Sequence, residues 1–240
     1  MKALLLDIEV SPNTAYIWGL WGENIPLDRL ISTSQVLCFS AKWLGSAEMI
    51  FDSILKSGKR KMLKRVHKLL NEADVVIHYN GKKFDIPVLN REFLLQKMPP
   101  PSPYKQVDLY QTFKSKFRFV SNKMDFVAGQ ILEQRKEKTN FQLWIDCMNK
   151  NPTAWKQMEK YNKQDVTLLE RLYKVVLPWI PNHPNYGAYT GQDVCPACGG
   201  KHHQHRGTTL AFSNLYVRFQ CQDCGKWFRS NKPINPKGSK

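Results

Sequence analysis

The chain begins with the apolar run Ala3-Leu4-Leu5-Leu6, which is then interrupted at every second position: Asp7, Ile8, Glu9. Successive side chains of a strand point to opposite faces, so Asp7 and Glu9 share one face and Ile8 takes the other. Strands are expected near 2–9, 14–19, 35–43 and 47–51, the first three forming an antiparallel meander. The period then becomes helical. Met62, Leu63, Val66, Leu69 and Leu70 mark the buried side of a helix near 60–72, and Lys59, Arg60, Lys61, Lys64, Arg65 and Lys68 mark its solvated side, which equally suits phosphate contacts. Val75-Val76-Ile77-His78 predicts a strand, followed by a Gly-containing turn and a helix from about 85 to 97 that Pro99-Pro100-Pro101 stops. After a short strand over Gln106–Leu109 the chain turns largely helical. Pro152 after Asn151 suits the first turn of a helix whose buried side holds Met158, Leu168, Leu169, Leu172 and Val176. Mixed strands followed by helices, without an internal repeat, predict an α/β fold with helices covering a sheet.

Three short segments carry the chemistry. They are Asp7-Ile8-Glu9, then Tyr79-Asn80-Gly81-Lys82-Lys83-Phe84-Asp85, then Tyr161-Asn162-Lys163-Gln164-Asp165. Asp85 opens a helix, and Tyr161 and Asp165 lie four apart on another, so both face the same way. Taken singly, a D-x-E is usually a solvated strand face, and Tyr-x-x-x-Asp on a helix says almost nothing. Together, in this order, four carboxylates suit one site, and crowded carboxylates repel unless cations neutralise them. Hard oxygen donors favour Mg²⁺ or Mn²⁺, and two such ions suit attack on a phosphodiester.

These segments resemble the three motifs of the DEDD 3′–5′ exonuclease superfamily, built on an RNase H-like fold. Asp7 and Glu9 match the first motif, Asp85 the second and Asp165 the third, and Y-x-x-x-D resembles the tyrosine subclass through Tyr161. Asn80 and Phe84 fit the second motif's N-x-x-x-F-D pattern. The resemblance covers residues 1–180, and Ser121–Asp125 through Leu143-Trp144 resembles RNase H-like nucleases of phage origin. It implies an RNase H-like mixed sheet flanked by helices and two Mg²⁺ or Mn²⁺ ions held by Asp7, Glu9, Asp85 and Asp165. It also implies a water oriented by Tyr161, a terminal-nucleotide pocket shaped by Asn80 and Phe84, and 3′ to 5′ polarity.

Charge agrees with that reading. Thirty-six Lys and Arg face 20 Asp and Glu, a formal net of +16, and such a balance favours a polyanionic partner bound through phosphate contacts. The expected partner is DNA or RNA with a single-stranded 3′ end. Lys114, Lys116 and Arg118 alternate with Phe113, Phe117 and Phe119, a pattern suited to stacked bases, although the core has the stronger claim on those rings. Asp108 is expected as a surface acid, with support of the site as the alternative, and His78 and Asp146 as structural residues. No run of about 18 apolar residues is present, and the N-terminal leucines reach Asp7 too soon for a signal peptide, so a cytoplasmic protein is expected (host cytoplasm for a phage product).

The composition changes after Pro178. Pro178, Pro181, Pro184, Gly187 and Gly191 break helices, and 181–191 is expected as a linker. Beyond it, Cys195-Pro-Ala-Cys198 and Cys221-Gln-Asp-Cys224 form two C-x-x-C pairs, the pattern of one structural Zn²⁺ site. A zinc ribbon over 192–230 follows, with Leu215–Gln220 as a strand and 231–240 as a disordered tail. Disulfides are disfavoured in a cytosolic protein, His202, His203 and His205 are weak substitutes as ligands, and Cys38 and Cys147 are expected as buried thiols. Arg206, Arg218, Lys226 and Arg229, with Tyr216, Trp227 and Phe228, are candidates for an accessory nucleic-acid surface, and docking of a protein partner through the ribbon stays open. The expected function is therefore a two-metal-ion 3′–5′ exonuclease. Its rivals are a structure-selective endonuclease on the same fold and a non-catalytic adaptor working through the ribbon.

Overall fold

A computed structural model gives the fold over residues 1–133, 139–191 and 194–234. In chain order the elements are β1 (Ala3–Val10), β2 (Thr14–Ala15), β3 (Leu30–Ser32), β4 (Val36–Trp43), β5 (Ile50–Ser53), α1 (Ile54–Ser57), α2 (Lys59–Glu72), β6 (Val75–His78), α3 (Asp85–Leu95) and β7 (Lys105–Asp108). There follow α4 (Leu109–Lys116), α5 (Met124–Leu132), α6 (Gln142–Met148), α7 (Pro152–Val176), α8 (Tyr186–Thr190), β8 (His203–Ala211), β9 (Asn214–Cys221) and β10 (Trp227–Pro233).

The main sheet has the order β5-β4-β1-β6-β7. β1 pairs antiparallel with β4 and parallel with β6, while β6 and β7 are parallel and β4 and β5 antiparallel. The period-two pattern of β1 sorts its side chains between two layers. Leu4, Leu6 and Ile8 pack with Met62, Leu63, Val66 and Leu70 of α2 and Leu89 and Phe93 of α3. Ala3 and Leu5 pack on the opposite face with Phe113 of α4, Val127 of α5 and Leu168, Leu169 and Leu172 of α7. Each buried leucine there contributes about 1.5–3 kcal/mol relative to exposure, and the two layers hold β1 at the centre of the sheet.

The expected meander is corrected. β2 pairs with β3 in a separate two-stranded sheet, and β1 continues to β4 and β5 instead. The segment expected as a strand over 14–19 has little to pack against: Tyr16 is 74% and Trp18 90% exposed. The excursion closes at its base where Ser11 N donates to Gln35 O. On α2 the buried residues are Met62, Leu63, Val66, Leu70 and also His67, whose Nε2 lies 2.8 Å from Pro99 O, while Leu69 is only partly covered. Two of the cations on this helix are engaged, Lys59 with Glu92 at 2.8 Å and Arg65 with Asp52 at 3.6 Å.

Helix α7 begins as its sequence requires: the Asn151 side chain accepts from Thr153 N and Ala154 N, with Pro152 in the first turn. Its buried side runs the length of the helix and reaches Tyr161, Asn162 and Asp165. Phe113 is buried and meets Phe117 and Phe119, and Trp179 stacks edge-on against Phe117, so these rings form core rather than a stacking platform. Cys38 and Cys147 are buried free thiols.

The C-terminal strands form a three-stranded antiparallel sheet of order β10-β9-β8. The chain from Pro178 to Gly191 makes a short 3₁₀ turn at Leu177–Trp179 and then α8, with Ile180 buried. Cys195, Ala197 and Cys221 belong to the same apolar cluster as Val176, Leu177 and Ile180, and Lys226 Nζ donates to Ile180 O at 2.5 Å. The small sheet is therefore docked on the end of α7. β10 continues to Pro233, inside the segment expected to be a disordered tail; 235–240 lie outside the described residues. Among the described residues no helix is long and apolar enough to cross a membrane.

Candidate functional site

Asp7 and Glu9 continue the row of Ala3 and Leu5 on the face of β1 that lies beneath α7, beside Ser40 and Cys38 of β4. Asp165 comes down on them from the buried side of α7. One carboxylate oxygen from each of Asp7, Glu9 and Asp165 lies within 4.8 Å of the other two. Two polar side chains hold the strand acids in place. Asn162 Nδ2 donates to Asp7 Oδ2 at 2.7 Å, and Trp144 Nε1 donates to Glu9 Oε2 at 3.2 Å. Tyr161 is buried beside Trp144, their rings edge-on with centroids 6.0 Å apart. The thiol of Cys38 reports the local potential: burial first, then the charges of Glu9 and Asp7, push its pKa well above the ordinary value.

Asp85 enters differently. Its Oδ1 accepts from Ile8 N at 3.1 Å, the peptide nitrogen between Asp7 and Glu9, and its side chain is buried. It is not one of the three acids whose oxygens crowd together. The structure thus gathers three of the four expected acids and ties the fourth to the backbone that carries two of them.

The turn before Asp85 explains how that residue is delivered. Asn80 adopts φ 62°, a left-handed conformation that asparagine tolerates better than most residues. Asp108 at the end of β7 braces the turn, accepting from Asn80 N at 2.9 Å and from Lys82 N at 3.4 Å. Asp108 is therefore not the expected surface acid: it is buried, because the turn's peptide nitrogens need an acceptor there. Gly81 passes so near His78 that a Cβ would sit 2.6 Å from the ring's Cγ. Gly81 N donates to His78 Nδ1 at 3.1 Å, which makes Nε2 the protonated nitrogen and the donor to Gln106 Oε1 at 3.0 Å. Nδ1 also lies 3.7 Å from Asp108 Oδ2, and burial lowers the pKa of His78 by more than the Asp108 charge raises it. His78 is structural. Asn80 is half-buried in this turn, while Phe84, next to Asp85, is 47% exposed.

Sequence reasoning gave no role to Asn162 or Trp144. The first had a usable signal: it lies three residues before Asp165 on a helix, a spacing that puts both on one side. Trp144 stood only within a segment of family resemblance, and its contact with Glu9 had no local signal, since the indole reaches it across 135 residues of sequence.

A second cluster lies at the C-terminal sheet. The sulfurs of Cys195, Cys198, Cys221 and Cys224 all lie within 4.8 Å of one another. Cys195 Sγ is 3.7 Å from Cys224 Sγ, and Cys198 Sγ is 3.6 Å from Cys221 Sγ. Both spacings exceed a disulfide bond of about 2.05 Å and match the edge of about 3.8 Å for a tetrahedron with metal–sulfur bonds of about 2.3 Å. Burial raises the thiol pKa of Cys198, and raises that of Cys224 to about 11. The histidines are engaged elsewhere: His202 with Asp223 at 2.9 Å, and His203 edge-on to Phe219 and Phe228.

No curated protein matches the chain. Among solved structures the fold is similar to the family B DNA polymerase from the hyperthermophilic archaeon Pyrobaculum calidifontis, with a TM-score of 0.55 and 18% sequence identity. That similarity covers 74% of this chain and 24% of the polymerase, so it compares most of this chain with a fraction of a larger protein. The model of the RNase_H superfamily matches residues 32–177, a span that contains Asp85, Tyr161 and Asp165 and ends at the last turn of α7. The central strand β1, with Asp7 and Glu9, precedes that span; because the span is more than half of the 240 residues, the chain belongs to the RNase_H superfamily.

Proposed function

We propose that the protein is a metal-dependent nuclease of the DEDD type that removes nucleotides from the 3′ end of single-stranded DNA or RNA. The observation that carries this reading is the convergence of Asp7, Glu9 and Asp165 within 4.8 Å. Three carboxylates so close repel one another, and an all-oxygen donor set suits Mg²⁺ or Mn²⁺. Asp7, Glu9 and Asp165, with Asp85 alongside, would hold two such ions, which when bound supply acidity to a water and charge neutralisation at the scissile phosphate.

The other side chains have roles that follow from their contacts. Asn162 and Trp144 fix the orientations of the Asp7 and Glu9 carboxylates by donating to them, as outer hydrogen-bond partners of ligating carboxylates do. Tyr161, packed on Trp144, would orient the attacking water through its hydroxyl; a phenol of pKa about 10 is a poor base at neutral pH. Phe84 offers an exposed ring beside Asp85 for the terminal base, and Asn80 would shape the same pocket. The 3′ to 5′ polarity rests on the resemblance of the three motifs. At the C terminus, Cys195, Cys198, Cys221 and Cys224 would bind one structural Zn²⁺, which their near-tetrahedral sulfur spacing supports.

The test uses 3′- and 5′-labelled oligonucleotides of DNA and RNA, together with circular single strands, in Mg²⁺, Mn²⁺ or EDTA. Stepwise shortening from the 3′ end with the cations, and none with EDTA, is expected. Cleavage of circles would move the assignment to an endonuclease. Absence of metal-dependent hydrolysis on every substrate would remove it.

A further inference from the structure

The C-terminal sheet has two unlike faces. On one, Phe219 and Phe228 stack at 5.4 Å with His203 against both rings, so Phe228 belongs to the small core and not to an outer binding surface. Lys226 is also turned inward, onto Ile180 O. The other face carries Tyr216 and Arg218 of β9 beside Trp227 and Arg229 of β10. Arg218 and Arg229 are direct cross-strand partners, and Trp227 pairs with Gln220 two positions along. The Arg218 guanidinium lies 5.3 Å from the Trp227 ring centroid, and that of Arg229 lies 4.0 Å from the Tyr216 centroid. Arg218 is steadied by Nε donating to Arg206 O at 2.9 Å, at the bulge in the β8–β9 register beside Gly207, whose φ is +79°. Both arginines and Trp227 are exposed.

Like charges directly opposite on a sheet destabilise it, and the local sequence supplies no acid to offset this pair. From Val194 to Ile234 it holds six Lys and Arg and a single acid, Asp223, which is taken by His202. Guanidinium groups suit phosphate oxygens, and exposed rings suit the faces of unpaired bases.

We propose that the Tyr216–Arg218–Trp227–Arg229 face is a second binding surface for single-stranded nucleic acid, separate from the carboxylate cluster. Phosphates engage the two guanidinium groups and bases stack on Trp227, while Tyr216 steadies Arg229 from beneath. The choice of polyanion rests on the nuclease reading. A strand held there would stay on the protein while its end is processed, so the surface governs affinity for long substrates and not the chemical step.

The experiment measures fluorescence anisotropy of the full chain in EDTA with labelled dT30, rU30 and dT5. Arg218→Gln/Arg229→Gln should weaken 30-mer binding and reduce the log–log salt slope by about 1.4, two contacts at about 0.7 each on a single strand. Trp227→Leu, which leaves the charges in place, should weaken 30-mers about 10-fold with the slope unchanged. Zinc content and Tm should match wild type, and hydrolysis of dT5 in Mg²⁺ should be unaltered. A loss confined to dT30 or to rU30 supports the surface and names its source. Unchanged 30-mer affinity in both variants overturns the proposal, as does displacement of dT30 by polyglutamate of equal charge, the result expected of an acidic protein partner. If wild type hydrolyses nothing while the variants still lose binding, the nuclease reading fails and this surface stands. Normal hydrolysis with unaltered binding removes the surface and leaves the nuclease reading in place.

Discussion

The two clusters of candidate metal ligands are built in opposite ways. The four cysteines come from two C-x-x-C turns of one small sheet, and their sulfurs meet at spacings that close a tetrahedron. The three crowded acids come from the first strand and the middle of α7, with Asp85 at the start of α3 bonded to the backbone between two of them, and they need the main sheet and its helices to meet at all. Soft sulfur in a closed geometry suits one structural ion, whereas carboxylates braced by neighbouring donors suit hard ions that exchange. Loss of either cluster should therefore leave a different signature.

The largest effect is expected at the acids. Asp165→Ala or Asp7→Ala should lower hydrolysis of a labelled oligonucleotide by more than about 100-fold, beyond what removal of an outer partner does, with the zinc content of fresh protein unaltered. Wild-type turnover in either variant would break the distinction between the clusters.

Cys221→Ser should do the reverse. Elemental analysis should fall from one zinc per chain to none, and Tm should drop, because Cys221 and Cys195 are buried in one cluster with Val176, Leu177 and Ile180. That shared burial also bears on a truncation. Removing residues 190–240 would expose part of that cluster, at about 1.5–3 kcal/mol for each large apolar side chain uncovered. A truncated chain melting at the wild-type temperature would mean that the docked sheet adds nothing to the main fold.

Trp144→Phe keeps the packing on Tyr161 but removes the donor to Glu9. Activity or apparent Mg²⁺ affinity should fall about 10–100-fold, read from Mg²⁺ titrations of single-turnover rates. Asn162→Leu should act similarly through Asp7. Equal rates in both variants would reduce these residues to packing.

The smallest effect is a pH dependence. The pKa of His78 is lowered in the folded protein, by burial above all, so folding favours the neutral ring. That contribution is complete above the ordinary histidine value of about 6.5 and is lost as pH falls below it, where the unfolded chain binds the extra proton. The urea midpoint should decline from pH 7 to 5, and less in His78→Gln than in wild type. His183, also lowered by burial, adds to the background in both proteins. Parallel declines would show that His78 is not the group concerned.

The chain's own pattern determined a good deal. Alternation around Asp7 and Glu9 put both acids on one face of β1, and helical spacing put Tyr161 and Asp165 on the buried side of α7. Asn151-Pro152 marked where that helix begins, and the cysteine spacing marked a four-sulfur cluster. These are legible because strand and helix periods and turn chemistry act over a few residues. Tertiary structure decided what depends on distant partners. The 14–19 segment has apolar content suited to a strand, yet β1 pairs with β4, a register that buries Phe39 and Ala41 on the α2 side of the sheet. Asp108 looked like a surface acid until a turn 28 residues away supplied two peptide nitrogens for it to accept. Of the C-terminal aromatics, Phe228 and Trp227 are neighbours in sequence, and the pleat of β10 sends one to the core and the other to solvent. Local periodicity fixes which side chains share a face; the sheet's pairing and the helices laid on it fix what that face meets.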